Sequence, residues 1–111
     1  MKRITAFLHH VRTPTVVQAL ADAGYGNITL QDVKGMLKAI SDDEAAYTRD
    51  STSSVISESR LSLVVDDDKV AEVTAIICRI GRIGAHVSGW VYVSPVEQMM
   101  PIGGARVDSE T

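Results

Sequence analysis

Aromatic residues are scarce in this chain: one Phe, one Trp and three Tyr make up 5% of it. Its core must therefore be built from Ile, Val, Leu and Ala. Cysteine is scarcer still. Cys78 stands alone, so no internal disulfide can form, and its apolar helical surroundings predict buried packing rather than redox chemistry. Positive charge is not in excess. Eleven Lys and Arg face fourteen Asp and Glu, for a net charge of −3 and a pI of about 5.5, which argues against general nucleic-acid binding. No apolar run approaches the roughly 20 residues that span a bilayer. The start, Met1-Lys2-Arg3-Ile4, continues as strand-like alternation interrupted by His9 and His10, and not as a secretory apolar region. The expectation is a cytoplasmic protein with no membrane insertion. Enzyme signatures are also missing: there is no phosphate loop ending in Gly-Lys-Ser/Thr, no nucleophile elbow and no metalloprotease helix. Serines without an identifiable base are not evidence of a nucleophile, so the chain reads as a non-enzyme.

What is present fits one domain over residues 1–111. Residues 3–9 alternate, with Ile4, Ala6 and Leu8 on one face and Thr5, Phe7 and His9 on the other, which predicts a strand. Thr13-Pro14 reads as an N-cap and a favoured first helical residue, and Val17, Leu20 and Ala21, with Val16 beside them, form an apolar stripe. Gly24 and Gly26-Asn27 make a turn. A second strand is predicted from Ile28 to Lys34, ended by Gly35, and a third over 58–65 with Leu61, Leu63 and Val65 on one face. Between them, Ser41–Ser54 is polar and reads as a long mobile loop. Asp66-Asp67-Asp68 reads as the cap of a second helix carrying Val70, Val73, Ile76, Ile77 and Ile80. Trp90 to Val93 reads as a last, short strand. Two tandem strand–helix–strand units predict a ferredoxin-like βαββαβ sandwich of the α+β class, with both helices on one face of an antiparallel sheet. The other face then needs a partner chain, and self-association is the simplest cover.

Three groups of residues could carry chemistry. The glycine-punctuated stretch Arg79–Gly89 could turn backbone N–H groups toward an anion, with Arg79 or Arg82 adding charge; taken alone, its plainer reading is a set of turn glycines. His9 and His10 are neighbours that a regular strand points to opposite faces, so they cannot chelate one metal together, although either, or His86, could ligate across a subunit boundary. The acid runs 66–68 and 42–44 read as a helix cap and a solvated face.

Three segments resemble the PII signalling family: Asp32-Val33-Lys34-Gly35 before a long loop, Leu61-Ser-Leu-Val-Val-Asp-Asp-Asp-Lys-Val70, and Val91-Tyr-Val-Ser-Pro-Val-Glu97. The start, Met1-Lys-Arg-Ile-Thr-Ala6, fits as well, and the pattern covers roughly residues 1–102. The resemblance implies a homotrimer that binds an adenine nucleotide in clefts between subunits. It also implies an effector loop, about 36–56, that docks on a protein partner such as a membrane transporter, with a C-terminal tail from about 101 to 111. Residue by residue it implies nucleotide contacts from Asn27, Ile28, Thr29 and Val64 at the base and ribose, and from Gly35, Lys38, Arg82, Gly84, Gly89 and Trp90 at the phosphate end.

Several positions depart from the family pattern. Lys38 replaces an arginine, and Ala39 replaces the glutamine that helps hold magnesium and 2-oxoglutarate. Ile83, Val87 and Trp90 replace a threonine, a glycine and a lysine, Pro101 and Gly103 replace two arginines, and Ser51 replaces the modified tyrosine. These losses fall at the β/γ-phosphate end. They imply a divergent PII-like regulator that favours ADP or AMP, with ATP or bicarbonate as further ligands and a link to inorganic-carbon transport. The alternative reading is a metal-responsive relative associated with heavy-metal efflux.

Overall fold

The computed structural model describes residues 1–35 and 56–104. Most of the expected effector loop, with Lys38 and Ala39, and the tail beyond 104 lie outside the described residues. Strand β1 spans Lys2–His9, helix α1 Thr13–Asp22, β2 Thr29–Gly35, β3 Ile56–Val65, α2 Val70–Ile80 and β4 Trp90–Pro95. The strands form one sheet in the order β2-β3-β1-β4, with every neighbouring pair antiparallel. This is the expected ferredoxin-like arrangement.

Register explains where the core sits. Ile4 opposes Leu63 and Val93, and Ala6 opposes Leu61 and Val91, so these apolar side chains share one face. Both helices pack there, bringing Val16 and Leu20 of α1 and Val73 and Ile77 of α2 against Ile4, Leu61 and their neighbours. Among the described residues no helix packs on the opposite face, which bears Thr5, Phe7, Ser62, Val64 and Tyr92. Phe7 and Tyr92 meet there edge to face at 5.9 Å, yet Tyr92 stays 53% exposed and Trp90 56%.

Local signals needed correction at four points. The N-cap position of α1 is Arg12, without a side-chain cap; Thr13 lies inside the helix and its hydroxyl donates to the His9 carbonyl at 3.3 Å. The aspartate run does not cap α2 by its side chains either. Asp66 accepts from the Lys69 N–H through its carbonyl, a 3-10 turn over Asp67–Lys69 leads into the helix, and the Asp67 carboxylate pairs with the Met1 amine at 2.6 Å. Ala21 is exposed, and the stripe of α1 runs through Val16 and Leu20. Cys78 is exposed, not buried: the apolar positions of α2 follow the helical period through Val73, Ile76 and Ile77, and residue 78 falls off that stripe. Most strand limits move outward by a residue or two, as where Gly35 pairs with Ile56 and Lys2 with Pro95, while β2 begins one residue later than expected, at Thr29 and not Ile28.

Candidate functional site

The residues singled out as nucleotide contacts fall on opposite sides of the sheet, Asn27, Ile28, Thr29 and Gly35 at edge strand β2 with Val64 on its neighbour β3, and Arg82, Gly84, Gly89 and Trp90 at edge strand β4. At the β2 edge, α1 ends at Asp22 with Ala23 as its C-cap, Gly24 follows with φ +97, and the chain turns through Asn27, with φ +55, a left-handed conformation that asparagine tolerates. The Tyr25 N–H donates to the Leu20 carbonyl at 3.0 Å, and its hydroxyl donates to the Glu72 carboxylate of α2. That bond is the main cause that pushes the phenol up to about 12, so the hydroxyl remains a donor at neutral pH. Ile28 packs partly against the core, and exposed Thr29 opens β2 opposite Ser62. A hollow of about 280 Å³ lies between this turn and β3, lined by Tyr25, Asn27, Val64, Lys69 and Met99 among others. Gly35 closes the far end of β2.

The β4 edge holds the glycine stretch. A Cβ on Gly89 would stand 2.2 Å from the Phe7 carbonyl oxygen, and one on Gly81 would stand 2.7 Å from the Ile77 carbonyl and 2.8 Å from Leu8. Both glycines therefore let the turn lie flat on β1 and α2. Gly84 has open space around it but a φ of +66. The turn is braced from within. The Ser88 hydroxyl accepts from the Ile83 N–H at 2.8 Å and reaches the carbonyls of Ile83 and His86. Arg82 Nε donates to the Gly84 carbonyl at 3.0 Å, and Arg12 Nε donates to the Arg82 carbonyl at 3.1 Å. Ile83 is buried and anchors the turn on the core side. A cleft of about 450 Å³ between this turn, α2 and β4 takes in Arg82, Gly89, Trp90 and exposed Cys78.

One copy of the chain thus gathers Asn27, Ile28, Thr29 and Val64 on one side and Arg82, Gly84, Gly89 and Trp90 on the other. Edge strands β2 and β4 are three strand spacings apart, roughly 14 Å in a sheet. The two sets do not meet within a chain.

The histidines behave otherwise than expected of a regular strand. Because β1 ends at His9, the next ring folds back, and His9 and His10 stack with centroids 4.8 Å apart. His9 is only 3% exposed, and its Nδ1 accepts from the Val11 N–H at 3.2 Å. Desolvation, and then the charge of His10, lower its pKa from 6.5 to about 4. Among the described residues no three His, Cys, Asp or Glu side chains converge as a metal site. A hollow of about 440 Å³ beside this pair, lined by His10, Asp32, Val33, Lys34 and Glu58, was not foreseen. Its signal lies in register, since Glu58 stands opposite both His9 and Val33.

Fold and edges together define a small ferredoxin-like α+β protein with paired turn sites at its sheet margins. The family model described as Nitrogen regulatory protein P-II matches residues 1–105. The Nitrogen regulatory protein P-II of Porphyra purpurea is 28% identical over 102 residues, covering 92% of this chain and 91% of that protein. The Nitrogen fixation nifHD region GlnB-like protein 1 of Methanothermobacter marburgensis is 33% identical over 99 residues, covering 87% and 89%. The P-II protein of Nostoc punctiforme is 27% identical over 110 residues, covering 99% and 98%. The chain belongs to the P-II family of nitrogen regulatory signalling proteins. No helix among the described residues is long and apolar enough to cross a membrane.

Proposed function

We propose that this protein is a P-II signal transducer, one domain over residues 1–111, that assembles as a homotrimer. It binds an adenine nucleotide between copies and reports to a protein partner through residues 36–56. The observation that carries this reading is the division of the candidate residues between the β2–β3 side and the β4 edge of the sheet, with a face bearing Phe7, Val64 and Tyr92 between them that no helix covers among the described residues. Packing that face against a second copy sets the β2 edge of one chain beside the β4 edge of the next. A closed three-fold ring does this for every chain at once. The base then lies near Ile28, Thr29 and Val64, and the phosphates near Arg82, Gly84 and Gly89.

The phosphate end is poor in charge. Trp90, Pro101 and Gly103 bring none, and Ala39 offers no oxygen ligand. ADP or AMP therefore binds at least as well as ATP, and magnesium with 2-oxoglutarate adds little. The positive charges of Lys38 and Arg82 suit a small anion such as bicarbonate, which fits a transporter of inorganic carbon as the partner. Light scattering should give three times the 12.0 kDa chain mass. Calorimetry should then rank ADP and AMP at or above ATP. A monomer at micromolar concentration, or ATP binding that tightens with magnesium and 2-oxoglutarate, would overturn the proposal.

A further inference from the structure

The turn that leads from α1 into β2 is loosely built for one that must place contact residues. It carries two glycines, and a Cβ on either Gly24 or Gly26 would meet nothing within 4 Å. Asn27 adds a left-handed φ of +55. Among the described residues no hydrogen bond holds Gly26 or Asn27, and pairing with β3 begins only where Thr29 opposes Ser62. Tyr25 is the exception. Its N–H donates to the Leu20 carbonyl at 3.0 Å, and its half-buried ring packs against the core. Its hydroxyl donates to the Glu72 carboxylate in the first turn of α2. Glu72 is itself well anchored, because the next residue, Val73, is fully buried in the core cluster that also holds Leu63 and Val65 of β3. One side chain therefore ties the end of α1 to α2, and through α2 to the strand that carries Val64.

We propose that Tyr25 is a positioning residue for the base of the nucleotide: bonded to Glu72, it fixes the turn, and with it Ile28 and Thr29, at a set distance from Val64. The inference rests on the nucleotide reading above and adds to it a residue that acts through the turn rather than by contact with the base. Tyr25, Asn27 and Val64 line the same hollow, so the pose of the turn sets the spacing between the two groups of base contacts. A turn with two glycines and no bond at Gly26 or Asn27 samples many poses once that latch is gone, and a ligand must then select the right one at a cost in affinity. The phenol, pushed up to about 12 chiefly by the bond to Glu72, stays protonated and holds the latch closed at neutral pH. The bond lies at the surface, so breaking it loosens the turn without unfolding the domain.

The test is a double-mutant cycle on the intact protein with Tyr25→Phe and Glu72→Ala, read by calorimetry of ADP and AMP binding and by NMR relaxation of the Asn27 and Thr29 amides. Each variant should bind ADP about fivefold more weakly, the weight of one hydrogen bond. AMP should lose affinity by the same factor, because the effect falls at the base and not at the phosphates. Both amides should become more mobile in the free protein, and the thermal midpoint should stay within a few degrees of the parent's. The double variant should bind no worse than either single one, since the same bond cannot be lost twice. Glu72→Gln, which keeps an oxygen acceptor, should recover most of the affinity. Unchanged ADP binding in Tyr25→Phe, additive losses in the double variant, or unaltered amide relaxation would each overturn the role of Tyr25 while the nucleotide site stands. A parent protein that binds neither ADP nor AMP would overturn that site, and the positioning role with it.

Discussion

Gly89→Ala should destabilise the protein by about 3 kcal/mol, at the upper end of what overpacking costs. The added carbon would stand 2.2 Å from the Phe7 carbonyl oxygen, well inside contact distance. The obstacle is backbone, not a side chain that can swing away, and it belongs to β1, which is paired on both sides. Relief requires β4 to lift from β1 at the Phe7–Trp90 pair or the glycine turn to rise from the sheet. The thermal midpoint should fall by at least about 12 °C for a chain of this size. Gly84 provides the contrast. It has open space but a positive φ, so Gly84→Asn should be nearly neutral and Gly84→Ala should cost about 1 kcal/mol. A Gly89→Ala protein that melts with the parent would show that the turn does not lie on β1 as described.

The second large effect is acid lability centred on His9. The ring is buried, accepts the Val11 N–H at Nδ1, and has its pKa lowered to about 4 by burial and by His10. Glu58 faces it from β3, and His10 stacks on it from the turn. The unfolded chain takes up this proton near pH 6.5, while the folded chain resists it down to about pH 4. Stability is therefore full above pH 6.5, falls as the pH drops through that window, and levels off below it. The loss from this one group amounts to about 3 kcal/mol at most. His9→Asn keeps a side-chain acceptor near the Val11 N–H but does not titrate. Urea midpoints at pH 7.5, 6 and 5 should fall steeply for the parent and much less for the variant. Parallel decline in the two proteins would exclude His9 as the source.

Much of the fold is legible in the sequence because its signals are periodic. Ile4, Ala6 and Leu8 and then Leu61, Leu63 and Val65 alternate as a half-buried strand must, and the structure puts them on one face. The misreadings came from treating composition or a local motif as geometry. Cys78 sits among isoleucines, yet the period of 3.6 turns it outward. Thr13-Pro14 and the aspartate run have the grammar of caps, but Thr13 lies inside its helix with its hydroxyl donating to the His9 carbonyl, and Asp66 meets the Lys69 N–H through its carbonyl rather than its carboxylate. His9 and His10 meet because a strand ends between them, a boundary that alternation alone does not mark. The candidate site was readable as a set of residues but not as an arrangement. That Thr29 and Trp90 stand on opposite edges follows from strand order, which depends on long-range pairing.

That separation is the centre of the account, and chain mixing tests it most directly. Thr29→Trp blocks the β2 edge and Arg82→Glu repels phosphate at the β4 edge; each variant alone should remain trimeric and bind no ADP. The two, unfolded together in equal amounts and refolded as mixed trimers, should regain about a quarter of the parent's ADP sites, since random pairing joins two intact edges at that frequency. Recovery near that level, measured by calorimetry, is the result a shared site predicts. No recovery, with both variants folded and trimeric, would place the nucleotide within a single chain and contradict the account.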